Sequence, residues 1–158
     1  MNISQLHHRF ETIKEVWAKD AEVNFQFKNK EYSEDLAKLA LEIPFQHNKY
    51  LNHYTDVSQI KTSLEFEYRK MVKEKREYYG GESTAEVYAK KPFGNSIKTS
   101  EKMKIYLEGD EELINIEAKI KFIDQMLYFL DQVMKQVSNR GFAIKSAIEW
   151  EKFINGST

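Results

Sequence analysis

From Leu113 to Val137, apolar residues recur at steps of three and four: Leu113, Ile116, Ile120, Ile123, Leu127, Leu130, Met134 and Val137. On a helix that spacing puts every one of these side chains in one seam. Phe122, Met126, Phe129 and Val133 widen the seam into a face, and no Pro or Gly interrupts it. At ~1.5 Å per residue the predicted helix is roughly 40 Å long. A small monomer is not expected to cover such a face alone, so some of it should meet another subunit. Asn139 and Gly141 predict a break. Phe142, Ala143, Ile144, Ala147, Ile148, Trp150, Phe153 and Ile154 then predict a last apolar helix.

The same periodicity organises the rest. Ser4 is the expected cap of a first helix to about Lys19, with Leu6, Phe10, Ile13, Val16 and Trp17 on its apolar face. Val23 to Phe27 alternates apolar and polar, as a short strand or an extended connector would. Ser33-Glu34-Asp35 starts a helix with Leu36, Leu39, Ala40 and Ile43 inward, and Pro44 is expected to end it. Phe45 to Tyr54 reads as a short aromatic helix. Asp56 or Ser58 then caps a long helix to about Tyr79, whose apolar face holds Val57, Ile60, Leu64, Tyr68, Met71 and Val72. Gly80-Gly81 supplies its stop. Residues 80–100 carry loop signals, Pro92 and Gly94-Asn95-Ser96, with Lys90-Lys91 near the middle. A loop that long is usually functional. A short helix from Glu101 to Leu107 follows, and Gly109-Asp110 leads into the long seam.

The predicted fold is mainly α and a single domain over 1–158: an N-terminal helical region over residues 1–55, a basic helix 57–79 and C-terminal oligomerisation helices 111–155. The chain has 158 residues, enough for a real core. Its formal net charge of −1 predicts no bulk attraction to nucleic acid or membrane, so any anion site is a local patch. With no Cys, thiolate zinc sites and cysteine nucleophiles are excluded. The N-terminus lacks the apolar core of a signal peptide, and no run approaches the ~18 apolar residues of a membrane span.

Catalytic signatures are missing. His7, His8, His47 and His53 include no i, i+4 pair for zinc. No Gly-rich phosphate loop occurs. Asp110-Glu111-Glu112 and Glu34-Asp35 sit where helix dipoles favour acids. The pattern predicts a protein that is not an enzyme and needs no cofactor or metal.

One segment has a chemical direction. Arg69, Lys70, Lys73, Lys75 and Arg76 face a single acid, Glu74, over eight residues. Arg69, Lys73 and Arg76 share a helix face, and Tyr78 and Tyr79 close it. The two tyrosines point about 100° apart, so both are not expected to face one partner. Such a face suits a phosphate track with aromatics for base stacking. It equally suits a solvated helix whose cations answer the dipole. A helical assembly protein without DNA binding therefore stays open.

Two stretches carry a family resemblance. Lys73-Glu74-Lys75-Arg76-Glu77-Tyr78-Tyr79-Gly80 and Asn139-Arg140-Gly141-Phe142-Ala143-Ile144-Lys145 resemble blocks of the UvsY-type recombination mediators of T-even-type bacteriophages. The resemblance spans about the C-terminal half, and residues 1–55 look divergent. It implies a non-enzymatic protein of DNA recombination, repair and replication in the cytoplasm of the infected host. Its implied partners are single-stranded DNA, the phage single-strand-binding protein and a RecA-like recombinase, which it helps load. It implies a ring-like homo-oligomer of six or seven subunits. The family's DNA-binding basic pair falls on Lys73 and Lys75, the second being Lys where the family pattern has Arg. That keeps charge but loses the bidentate fork. The family's C-terminal region drives oligomerisation, which assigns that role to the seam residues with Phe142, Ile144, Ile148 and Phe153.

Overall fold

The structure, a computed structural model, describes residues 2–25, 32–154 and 156. Five helices occur among them: α1 (Ile3–Phe25), α2 (Tyr32–Gly80), α3 (Ala85–Lys90), α4 (Ser100–Glu108) and α5 (Glu111–Ile154). No strand is found among the described residues. The mainly α expectation holds. The extended segment expected at 23–27 does not: Val23–Phe25 complete α1, while Gln26 and Phe27 lie outside the described residues.

Three predicted boundaries are also corrected. Asn2, not Ser4, starts α1. Its Oδ1 accepts from Gln5 N at 2.8 Å, and Gln5 Oε1 accepts from Asn2 N at 2.9 Å, a reciprocal capping pair. Pro44 does not end a helix but lies within α2, which runs unbroken through Asp56 and Ser58. Proline removes one helical hydrogen bond, and α2 is anchored on either side of it by buried Leu36 and Tyr50. Gly141 does not break α5. A helix-interior glycine costs only about 1 kcal/mol, and Ile144 on the next turn is buried.

The chain forms two compact units, Met1–Val57 with Gln125–Thr158, and Ser58–Asp124. In the first, Leu6, Ile13, Leu36, Met126, Leu130, Val133, Val137 and Ile144 are buried. Buried Tyr50 donates its hydroxyl proton to Asp20 Oδ2 at 2.7 Å, and Trp17 meets its ring edge-on at 5.4 Å. Lys49 also reaches Asp20 Oδ2 at 2.7 Å. In the second unit the core holds Leu64, Leu113, Ile116 and Ile123. Lys61 pairs with Asp124 at 2.8 Å, and the Tyr68 hydroxyl donates to Glu117 at 3.2 Å.

These cores correct the expectation drawn from the seam. Leu113, Ile116, Ile123, Leu130 and Val137 are buried within one chain, and Ile120, Leu127 and Met134 are half-buried. The chain thus covers most of its own seam. What stays open lies further on: Phe142, Trp150, Phe153 and Ile154 are exposed.

Candidate nucleic-acid interface

The basic segment occupies the last turns of α2, and a folded connection closes it. Glu82 N donates to Glu77 O at 2.8 Å and Gly81 N to Tyr78 O at 3.3 Å, the bond pair of a Schellman stop. Gly81 has φ 79°, and a Cβ there would come within 3.0 Å of Ser96 Oγ, so glycine is required. The Gly80 carbonyl accepts from the Ser96 hydroxyl at 2.7 Å and from Lys98 Nζ at 3.0 Å. Residues 80–100 are thus no open loop: α3 forms within them, and the Tyr88 hydroxyl donates to Tyr78 O at 2.7 Å.

The five cations separate into two environments. Lys70 and Lys73 have side chains 79 % exposed and only loose i, i+4 pairs, to Glu74 at 3.8 Å and Glu77 at 3.9 Å. Such surface pairs contribute little and yield readily to a phosphate. Arg76 is exposed. Arg69 is exposed too, its Nε donating to Glu65 O at 3.2 Å and its guanidinium lying 4.7 Å from the Phe66 ring centroid. Lys75 is different. Its side chain is 15 % exposed, with Nζ 2.9 Å from Asp110 Oδ2 and 3.0 Å from Glu112 Oε1.

Asp110 is the centre of that inner group. Its Oδ1 accepts from Glu112 N at 3.0 Å and Leu113 N at 3.2 Å, capping α5. Its Oδ2 accepts the Tyr79 hydroxyl at 2.7 Å. Burial alone would raise the Asp110 pKa, but the bonds from Tyr79 and Lys75 outweigh it and hold the carboxyl below its ordinary value. Burial likewise opposes the charge on Lys75, and its two carboxylate partners outweigh that and raise its pKa. Burial and the Asp110 bond push the Tyr79 hydroxyl well up.

Tyr78 and Tyr79 are both half-buried. The expectation that they cannot face one partner is corrected: Phe93 lies 5.4 Å from Tyr78 and 5.2 Å from Tyr79, and the two tyrosines are 5.1 Å apart. The residue that joins them comes from the connection, which the helical wheel of α2 did not include. Tyr88 stacks on Tyr78 at 5.6 Å, and Tyr106 meets Tyr79 at 5.3 Å.

Of the residues expected to oligomerise, Phe142 and Phe153 are exposed, Ile144 is buried and Ile148 is half-buried, beside the largely covered seam. Among the described residues no three His, Asp or Glu side chains gather as a metal site would need, and no helix is long and apolar enough to cross a membrane.

The described residues thus form a helical scaffold with an exposed cationic face at the end of α2. Residues 16–157 match the family described as "Recombination, repair and ssDNA binding protein UvsY", and the chain belongs to that family. The match reaches well into the N-terminal region that the two motif blocks left out. Two crystal forms of the recombination mediator protein UvsY of bacteriophage T4 share the fold. Lattice type IV superposes with a TM-score of 0.68 at 21% identity, covering 91% of this chain and 97% of that one. Lattice type II gives 0.70 at 20% identity, covering 92% and 96%. No curated protein sequence matches this chain. Membership makes this chain a recombination and repair protein that binds single-stranded DNA.

Proposed function

We propose that the protein loads a RecA-like recombinase onto single-stranded DNA covered by the phage single-strand-binding protein, in the cytoplasm of the infected bacterium. It acts without catalysing a reaction, as a homo-oligomeric ring of six or seven copies. The observation that carries this reading is the exposed cationic face of α2 in a chain of the single-strand-binding UvsY family. Arg69, Lys70, Lys73 and Arg76 line the strand's phosphates, and repetition around a ring multiplies a weak patch through effective concentration. Lys75 serves that face from behind, by fixing the end of α2 to the start of α5. Tyr78 and Tyr79 brace the same end. Exposed Phe142 and Phe153 support assembly through the end of α5.

The test has two readouts. Binding to a labelled oligothymidylate should weaken steeply with salt. Added protein should shorten the lag of a recombinase on strand coated with single-strand-binding protein. A salt-independent interaction, or an unchanged lag, would sink the proposal and favour an assembly protein.

A further inference from the structure

The basic helix does not account for all the exposed cations of the Ser58–Asp124 unit. Two clefts adjoin along residues 97–99. The first, about 620 Å³, has apolar walls including Val72, Met103 and Leu107, with Arg76, Lys98 and Lys104 set against Glu108 and Glu117. The second, about 560 Å³, has Lys98, Lys102 and Tyr106 among its lining residues and no acid. A third groove, about 430 Å³, has the opposite character: Glu74, Glu77, Glu82 and Glu112 surround Lys75 and Lys91. Both of those lysines are already paired with Glu112.

Charge therefore separates the surroundings of the α2 end. The groove beside Lys75 repels a phosphate chain. The adjoining clefts attract one. Lys98, Lys102 and Tyr106 follow one another at four-residue steps, which aligns Lys102 and Tyr106 on one face of α4. Lys102 makes no ion pair among the described residues, and the Lys104 pair with Glu108 is long, 3.6 Å, and exposed. Tyr106 is 37 % exposed, and Tyr79 and Phe93 contact its ring at 5.3 and 5.8 Å. Its ring is held by these contacts and remains partly open to solvent. Arg76 belongs to the exposed face of α2 and also lines the first cleft, so a strand lying on that helix continues into it.

We infer that these adjoining clefts, centred on Lys102 and Lys104 and edged by Tyr106, are a second binding surface for single-stranded DNA. The lysines take backbone phosphates and Tyr106 takes a base. Cleft volumes of this size suit a nucleotide-sized group, and ring stacking tolerates any base. The inference rests on the reading that the exposed face of α2 binds the strand, and adds a separate element to it.

The test uses the full chain and a fluorescein-labelled oligothymidylate, with anisotropy measured over a salt series. Lys102→Ala with Lys104→Ala should weaken binding and lower the salt slope by ~0.7 for each phosphate no longer neutralised. Tyr106→Leu should weaken binding by about tenfold with little change in slope, and Tyr106→Phe should restore it. Melting temperatures confirm that the lysine variant, changed only at exposed positions, is folded. A lysine double variant with wild-type affinity and slope, beside a Lys70→Ala, Lys73→Ala variant that loses both, overturns the second surface and leaves the function standing. A wild-type chain that fails to bind the oligonucleotide overturns both.

Discussion

Lys75 Nζ stands 2.9 Å from Asp110 Oδ2, with the two side chains only 15 % and 5 % exposed. Two residues earlier on the same helix, Lys73 is 79 % exposed. Two positions on a helix turn the side chain by about 200°, so the two lysines of one basic motif face opposite ways. One meets solvent and the other holds two helices together.

Their substitutions should therefore fail differently. Lys75→Ala leaves Asp110 buried without its cation and should cost about 3 kcal/mol of folding stability. Lys73→Ala should leave stability within about 0.5 kcal/mol and lower the salt slope of single-strand binding. Denaturant titration beside anisotropy separates the two. A Lys75→Ala chain as stable as wild type would refute the buried-pair assignment.

The same group sets the pH response. Asp110 and Glu112 have lowered pKa values, Asp110 despite its burial and Glu112 chiefly through Lys91 and then Lys75. Their contribution is present above the ordinary carboxylate range and is lost as pH falls through the depressed folded values. Lys75 is raised, so its contribution is present below the ordinary lysine value and is lost as pH rises through the folded one. Denaturation midpoints across pH should show stability falling in acid, and Asp110→Asn should flatten that fall. An acid limb of the same steepness in the variant would assign the effect to other groups.

How much was legible beforehand follows from which forces act locally. The α2 stop was readable because Gly81 must take a positive φ. The α5 seam was readable because its period repeats through many turns. Pro44 and Gly141 are each a local penalty, outweighed by buried residues elsewhere on the same helix, Leu36 and Tyr50 around the first and Val137 and Ile144 around the second. The inner role of Lys75 depends on Asp110, far along the chain, and no local pattern encodes that meeting. Lys98, Lys102 and Tyr106 did leave a signal, four-residue spacing from the connection into a short helix, but their shared clefts exist only once residues 80–100 fold. Burial of the seam was misjudged because it depends on α1 and α2, whose positions sequence spacing does not supply.

Gly141 offers a direct check on the continuity of α5. A Cβ added there would meet Ile43 Cδ1 at 3.5 Å, an ordinary van der Waals distance. Its φ is not positive, so alanine fits the backbone. Gly141→Ala should therefore stabilise the protein by about 0.5–1 kcal/mol, by restricting the unfolded chain and favouring the helix. A lower melting temperature would mean that the helices cannot accommodate even that methyl group.

Assembly is tested by placing charge on exposed rather than buried apolar positions. Leu130 is fully buried within the chain, so Leu130→Asp should unfold its unit by burying an unpaired carboxylate. It cannot report on subunit association. Phe142 and Phe153 are 71 % and 77 % exposed, and Trp150 stacks on Phe153 at 5.8 Å. Apolar groups this open, grouped along the end of one helix, suit an interface between copies. If copies associate through this end of α5, Phe142→Asp with Phe153→Asp should keep the helical signal and the melting temperature while mass photometry shifts from the proposed ring to single chains. Affinity for single-stranded DNA should fall in the same variant although Lys70, Lys73 and Arg76 are intact, because each patch then acts alone. A variant that keeps the wild-type mass would move the interface elsewhere. A folded single chain that binds DNA as tightly as wild type would show that repetition is not what makes the site strong.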